Sequence, residues 1–166
     1  MSNEPPRKGV RNLIIMGVCG CGKSTIGELL AKRTGKMFLE GDQYHSDSNI
    51  AKMSRGEPLT DEDREDWLDR IAAKIEANQG EEGLIVSCSA LKLKYRDRLR
   101  AADEELFFVH LHGSEEVLSE RLKQRKGHFM GANMLRSQLD ILETPHEESE
   151  LLLSFFLSFF LIFLRS

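Results

Sequence analysis

The chain has no excess of positive charge. Its 23 Lys and Arg are outnumbered by 27 Asp and Glu, for a net charge of −4 with both signs intermixed, which excludes the basic footprint of a nucleic-acid binder. Cysteine is scarce: Cys19, Cys21 and Cys88 are odd in number and too few for a disulfide framework, which points to a reducing, cytoplasmic setting. No close-spaced ligands accompany Cys19 and Cys21, so a zinc site is excluded too. Residues 1–10 read as a polar arm, since they lack the apolar segment of a secretory signal. The apolar run 151–164 falls short of the ~17–25 residues of a membrane-spanning helix, and it has no polar helical face for an interfacial anchor. No internal repeat or low-complexity linker divides the 166 residues, which fit a single domain.

Against these absences stands one dense motif. Gly17-Val18-Cys19-Gly20-Cys21-Gly22-Lys23-Ser24 fits the phosphate-binding pattern G-x-x-x-x-G-K-[ST], with apolar Leu13–Met16 before it and an amphipathic stretch after it. A strand turning into a helix at this point would surround a polyphosphate with backbone N–H groups. Lys23 adds a point charge near the β- and γ-phosphates, and Ser24, with Thr25 beside it, offers a hydroxyl to Mg²⁺. Cys19 and Cys21 stand where small side chains suffice. A sharper reading is redox sensitivity, because a helix N-terminus and a lysine lower thiol pKa values.

Apolar strand-like runs then alternate with helical patterns. Leu13–Met16, Met37–Leu39, Leu84–Val86 and Leu106–Leu111 read as strands; helices are expected from the phosphate loop to Gly35, from the capping box Thr60–Asp63 to Ala77, over Leu91–Ala102, and after Gly113. Such alternation predicts an α/β fold with a parallel sheet covered on both faces and ligands at the carboxyl ends of its strands. The rule selects Asp42, which follows the second strand, and Ser87–Ser89, which end the third. Asp42 is placed to orient or deprotonate a substrate hydroxyl or to hold Mg²⁺ through water. The alternative is that it only caps a helix beginning near Tyr44.

Several blocks together carry a family resemblance. M-G-V-C-G-C-G-K-S-T (16–25), G-D-Q-Y-H (41–45), K-M-S-R-G-E-P-L-T-D-E-D-R-E-D-W-L (52–68), C-S-A-L-K-L-K-Y-R-D-R-L-R (88–100), G-H-F-M (127–130) and L-R-S-Q-L-D-I-L-E-T-P (135–145) resemble gluconokinases, in order and spacing. The likeness covers about residues 11–146. It implies a three-layer P-loop kinase domain with a helical lid over about 121–133, and ATP- and Mg²⁺-dependent phosphorylation of D-gluconate to 6-phosphogluconate. It also implies a homodimer.

The matching blocks name the site. ATP would lie on residues 17–25 and Arg121, with Mg²⁺ on Ser24. Lys23, Asp42 and Arg125 would act in catalysis, and Asp42, His45, Arg64, Lys92, Arg96 and His128 would bind the sugar acid. A carboxylate with a row of hydroxyls calls for guanidinium forks and hydrogen-bonding side chains. The plainer alternatives are that Arg64 lies on a solvated helix face, that Arg96 pairs with a nearby acid, that His45 packs against an aromatic, and that Arg121 and Arg125 form an ordinary basic helix end.

The resemblance ends near Pro145. A gluconokinase continues into a last strand and helix that complete the sheet and help seat the adenine, and here residues 147–166 are an acidic patch followed by a Leu/Phe-rich tail. Three readings arise for the tail: an altered reading frame or alternative transcript end, an edge strand that replaces the missing one, and a membrane-associated segment. The alternative functions are a nucleotide-binding relative without turnover and a P-loop kinase for another small hydroxy acid.

Overall fold

The computed structural model describes residues 12–78, 82–124, 132–145 and 152–156. Five parallel strands, β1 (Leu13–Met16), β2 (Met37–Glu40), β3 (Leu84–Ser87), β4 (Phe107–His112) and β5 (Leu152–Phe156), form one sheet in the order β2-β3-β1-β4-β5. Among the described residues six α-helices accompany them: α1 (Lys23–Thr34), α2 (Asp47–Ser54), α3 (Asp61–Ala77), α4 (Leu93–Arg100), α5 (Glu115–Gln124) and α6 (Ala132–Ile141).

Alternation along the strands makes the three layers. Ile14, Met16, Leu84, Val86 and Phe108 point to one face and pack with Trp67, Leu68, Ile71 and Ile75 of α3 and with Tyr95 and Leu99 of α4. Their neighbours Ile15, Ile85 and Val109 point to the other face, against Ile26 and Ala31 of α1, Leu118 of α5 and Leu135 of α6. The central strands are buried on both sides, and their near-continuous apolar runs reflect this. From β1 the chain crosses to β2 on one side, and from β3 it crosses to β4 on the other. A crevice opens where these connections diverge, at the carboxyl ends of β1 and β3.

Most elements with sequence-based bounds lie within a residue or two of them; α6 has no such bounds, and two differences are substantive. The helix near residue 44 resolves into a short 3-10 turn, Gly41–Tyr44, followed by α2, whose N-cap is Ser46 accepting from Asn49 N–H at 3.1 Å. Asp42 therefore does not cap a helix. The second difference is the tail. Residues 152–156 pair with β4 in parallel, from Phe108 opposite Leu152 to His112 opposite Phe156, so the last strand expected to be missing or replaced is supplied by the tail itself. The expected loss or replacement of the final helix concerns residues outside those described. Among the described residues, no helix is long and apolar enough to cross a membrane.

Candidate functional site

The phosphate loop is built from backbone. β1 ends at Met16, and α1 begins at Lys23 behind Gly22, whose φ of 93° is the left-handed region that glycine enters without strain. No side chain caps α1. Its first N–H groups therefore face the crevice with the positive end of the helix dipole. Lys23 Nζ donates to Val18 O at 3.1 Å, which folds the side chain back over its own loop. Burial opposes its charge, but attraction to Cys21, Asp42 and Cys19 outweighs that and raises its pKa above the ordinary lysine value. It stays cationic throughout the physiological range. Arg121 of α5 reaches the same place: its Nη1 would lie 3.7 Å from a Cβ built on Gly22.

The loop forms one wall of a cleft of about 360 Å³, lined there by Cys19, Gly20, Gly22, Lys23, Ser24 and Thr25. Glu40, Asp42, His45, Met53, Leu59, Arg64 and Trp67 line the facing wall, with Ser89 two residues past the end of β3 and with Leu122, Met134 and Gln138 closing the cleft from α5 and α6. The facing wall is made of side chains, and they hold one another. Trp67 Nε1 donates to Gly41 O at 2.8 Å, and its ring stacks on His45 with centroids 4.4 Å apart. Gly41 has to be glycine, since a Cβ there would meet Ser87 O at 2.0 Å. Thr60 and Asp63 form the expected capping box on α3, and Lys52 of α2 grips Asp63 at 2.8 Å. Those bonds fix Arg64, a buried cation whose Nη1 donates to the carbonyls of Leu59 and Thr60 and which lies 5.8 Å from the Tyr95 ring centroid.

His45 is buried beside Asp42, with Nε2 4.0 Å from Oδ1. Burial, with the Arg64 charge adding to it and Asp42 opposing, lowers its pKa to about 4, so the imidazole is neutral near pH 7. Asn49 Nδ2, a donor, stands 3.5 Å from His45 Nδ1. Nδ1 therefore accepts, and the proton of the neutral ring sits on Nε2, facing Asp42. Asp42 itself is largely exposed at the cleft mouth, with its side chain 62% accessible.

A family model described as an AAA domain matches residues 13–138. The gluconokinase of Gluconobacter oxydans is 45% identical over 142 residues, which span 83% of this chain and 78% of that protein. The crystal structure of a gluconokinase from Sinorhizobium meliloti 1021 superposes with a TM-score of 0.82 at 46% identity, covering 90% of this chain and 84% of the other. A sugar kinase from Janibacter sp. HTCC2649 gives 0.83 at 44% identity, covering 90% and 86%. The chain belongs to the gluconokinase family.

Within this gluconokinase cleft the expected residues divide. Cys19, Gly20, Gly22, Lys23, Ser24, Thr25, Asp42, His45 and Arg64 come together around it. Gly17, Val18 and Cys21 shape the loop from behind, with Val18 and Cys21 in the core. Arg64 is buried against the cleft and is not on a solvated helix face. Arg96 departs from expectation most: it is fully buried, it does not line the cleft, and its Nη1 and Nη2 donate to Ala90 O at 2.7 Å and Glu143 O at 2.9 Å. Enclosed and off the cleft lining, this guanidinium is directed at the Ala90 and Glu143 carbonyls and not at the place where a substrate carboxylate would lie. Lys92 is also directed elsewhere, to Asp61 at 2.8 and 3.0 Å, in a cluster with Lys94 and Tyr95 that holds the Asp61 carboxyl well below the usual range. Arg125, His128 and most of the expected lid fall outside the described residues.

The three thiols are buried and form no disulfide. Burial pushes Cys88 up to about 12, which makes it inert. Among the described residues no group of three His, Cys, Asp or Glu could hold a metal ion. Sequence reasoning missed Glu40, Trp67 and Gln138 as cleft residues. Trp67 read as a core position on the α3 face, and it is both core and cleft wall. Gln138 stood in a quoted block with no chemistry attached to it.

Proposed function

We propose that the chain transfers the γ-phosphoryl group of ATP to the C6 hydroxyl of D-gluconate. The observation that carries this reading is the facing of the two walls: a complete phosphate loop opposite a carboxylate, a neutral histidine and a buried arginine, in a chain whose relatives are named gluconokinases. The N–H groups of residues 20–24 and Lys23 hold the polyphosphate, and Arg121 approaches it from α5. The C6 oxygen attacks the γ-phosphorus while the bond to the β,γ-bridging oxygen breaks, and the hydroxyl proton passes to Asp42. ADP leaves with the electron pair of the broken bond. In-line placement and charge neutralisation do most of this work.

The donors suit a magnesium ion held chiefly by the nucleotide. Ser24 offers an oxygen ligand, and Asp42 an exposed carboxylate across the cleft; bound Mg²⁺ would supply charge neutralisation on the phosphates. On the acceptor side the sugar acid meets cationic Arg64, the Nε2 proton of His45 and the flat Trp67 wall. Lys92 and Arg96 support that wall from behind. Arg125 would act on the transferred phosphate and His128 on the substrate. A homodimer and a cytoplasmic location with a role in gluconate degradation complete the reading.

Phosphorus NMR of the product formed from ATP·Mg²⁺ and gluconate tests the chemistry. A phosphomonoester split into a triplet by a neighbouring CH₂ is expected. A doublet from an ester at a secondary carbon, or inorganic phosphate alone, would overturn the assignment.

A further inference from the structure

The phosphate loop is held from outside by α6. Gln138 Oε1 accepts from the Cys19 N–H at 2.7 Å, across 119 residues of sequence. Cys19 is 7% exposed, so this bond serves a backbone donor that is largely removed from water. The same stretch of chain is fixed at its other end: Glu143 N–H donates to Leu91 O at 2.8 Å, its carboxylate accepts from Leu93 N–H at 2.5 Å, and its carbonyl takes Arg96. Arg96 also holds the carbonyl of Ala90, a non-glycine residue at a φ of 43°. Next to Ala90, Ser89 accepts from Gly17 N–H at 3.3 Å. A closed circuit results, running from Cys19 through Gln138, Glu143, Arg96, Ala90 and Ser89 back to Gly17. Two points in the first half of the loop are thus tied to the α6 segment, Cys19 directly and Gly17 through Ser89 and Arg96.

We propose that Gln138 is a positioning residue for the phosphate loop: by holding the Cys19 N–H, it sets the direction of the loop's remaining N–H groups toward the nucleotide phosphates. The backbone of Cys19 lies two residues before Cys21 and three before Gly22, inside a loop whose shape is its function. A rotation of the Cys19 peptide would turn its neighbours, while the α1 N-terminus, anchored by Ile26 N–H to Gly22 O at 3.0 Å, would stay in place. Gln138 thus lets the position of α6 decide how well the loop is formed. The proposal rests on reading this cleft as the nucleotide site and is independent of which acid accepts the phosphate.

Two measurements test it, neither of which uses gluconate. In the nucleotide-free wild-type protein, amide hydrogen exchange should show the Cys19 N–H protected; free exchange there would overturn the proposal without any variant. Gln138→Met keeps the length and loses the acceptor. It should abolish Cys19 protection, leave that of Gly17 in place, and weaken ADP binding about 10-fold by direct titration, with Tm changed by only a few degrees. Gln138→Glu, which keeps an acceptor oxygen, should retain Cys19 protection. ADP affinity within about two-fold of wild type in Gln138→Met, or loss of Gly17 protection together with that of Cys19, would show that Gln138 only stabilises the fold and would contradict the positioning role.

Discussion

The two walls of the cleft are made of different material. On the nucleotide side the binding groups are mostly backbone N–H, ordered by glycines and the start of α1, and Lys23 is the chief side chain. On the acceptor side nearly every group is a side chain, held by another: Trp67 by Gly41, His45 by Trp67 and Asn49, Arg64 by the α3 cap carbonyls. A wall of backbone tolerates changes of side chain but not of geometry. A wall of side chains fixes the substrate and responds to each substitution in its own way.

Lys23→Ala should separate the walls most sharply. Removing the one charge that the loop places near the transferred phosphate should lower kcat about 10³-fold, with the gluconate KM little changed in steady-state kinetics. Arg96→Ala comes next, and its effect should be on folding. It strands the carbonyls of Ala90 and Glu143 and leaves a cavity, for a loss of roughly 3 kcal/mol in denaturant unfolding, with no specific rise in the gluconate KM.

His45 makes the acceptor wall sensitive to acid. Its folded-state pKa of about 4 lies below the ordinary 6.5, so between those values the unfolded chain binds the extra proton. The stability it contributes is complete above pH 6.5 and falls with pH, by about 2 kcal/mol near pH 5. A His45→Gln variant should lose that slope in pH-dependent unfolding. Arg64→Ala should raise the gluconate KM about 10-fold and leave the ATP KM within two-fold, the value of one charge-assisted contact. The smallest effect is expected on the backbone wall, where a Cys19→Ser, Cys21→Ser double variant should keep nucleotide affinity within about three-fold, and mild peroxide should leave wild-type binding unchanged because both thiols are buried.

This contrast also explains what could be read from the chain alone. The nucleotide wall was legible because its demands are local: glycine spacing, a strand before and a helix after. The sheet was legible for the same reason, through alternation and capping signals such as Thr60–Asp63. On the acceptor side, motif letters marked Arg64 and Arg96 equally, yet one reaches the cleft and the other braces the loop behind it. Only the three-dimensional placement of Ala90 and Glu143 separates them. Gln138 was invisible because an amide on an amphipathic helix signals nothing until its partner, a backbone N–H far away in sequence, is known. The tail was ambiguous for a different reason: an unbroken apolar run has no period, and the pairing of residues 152–156 with β4 supplied what periodicity could not.

The most direct measurement is ADP release by the purified full-length protein given ATP·Mg²⁺ and a panel of sugar acids and polyols. Turnover with gluconate and little with the others is the expected result. Turnover with a different acid, or nucleotide binding without any turnover, would contradict it.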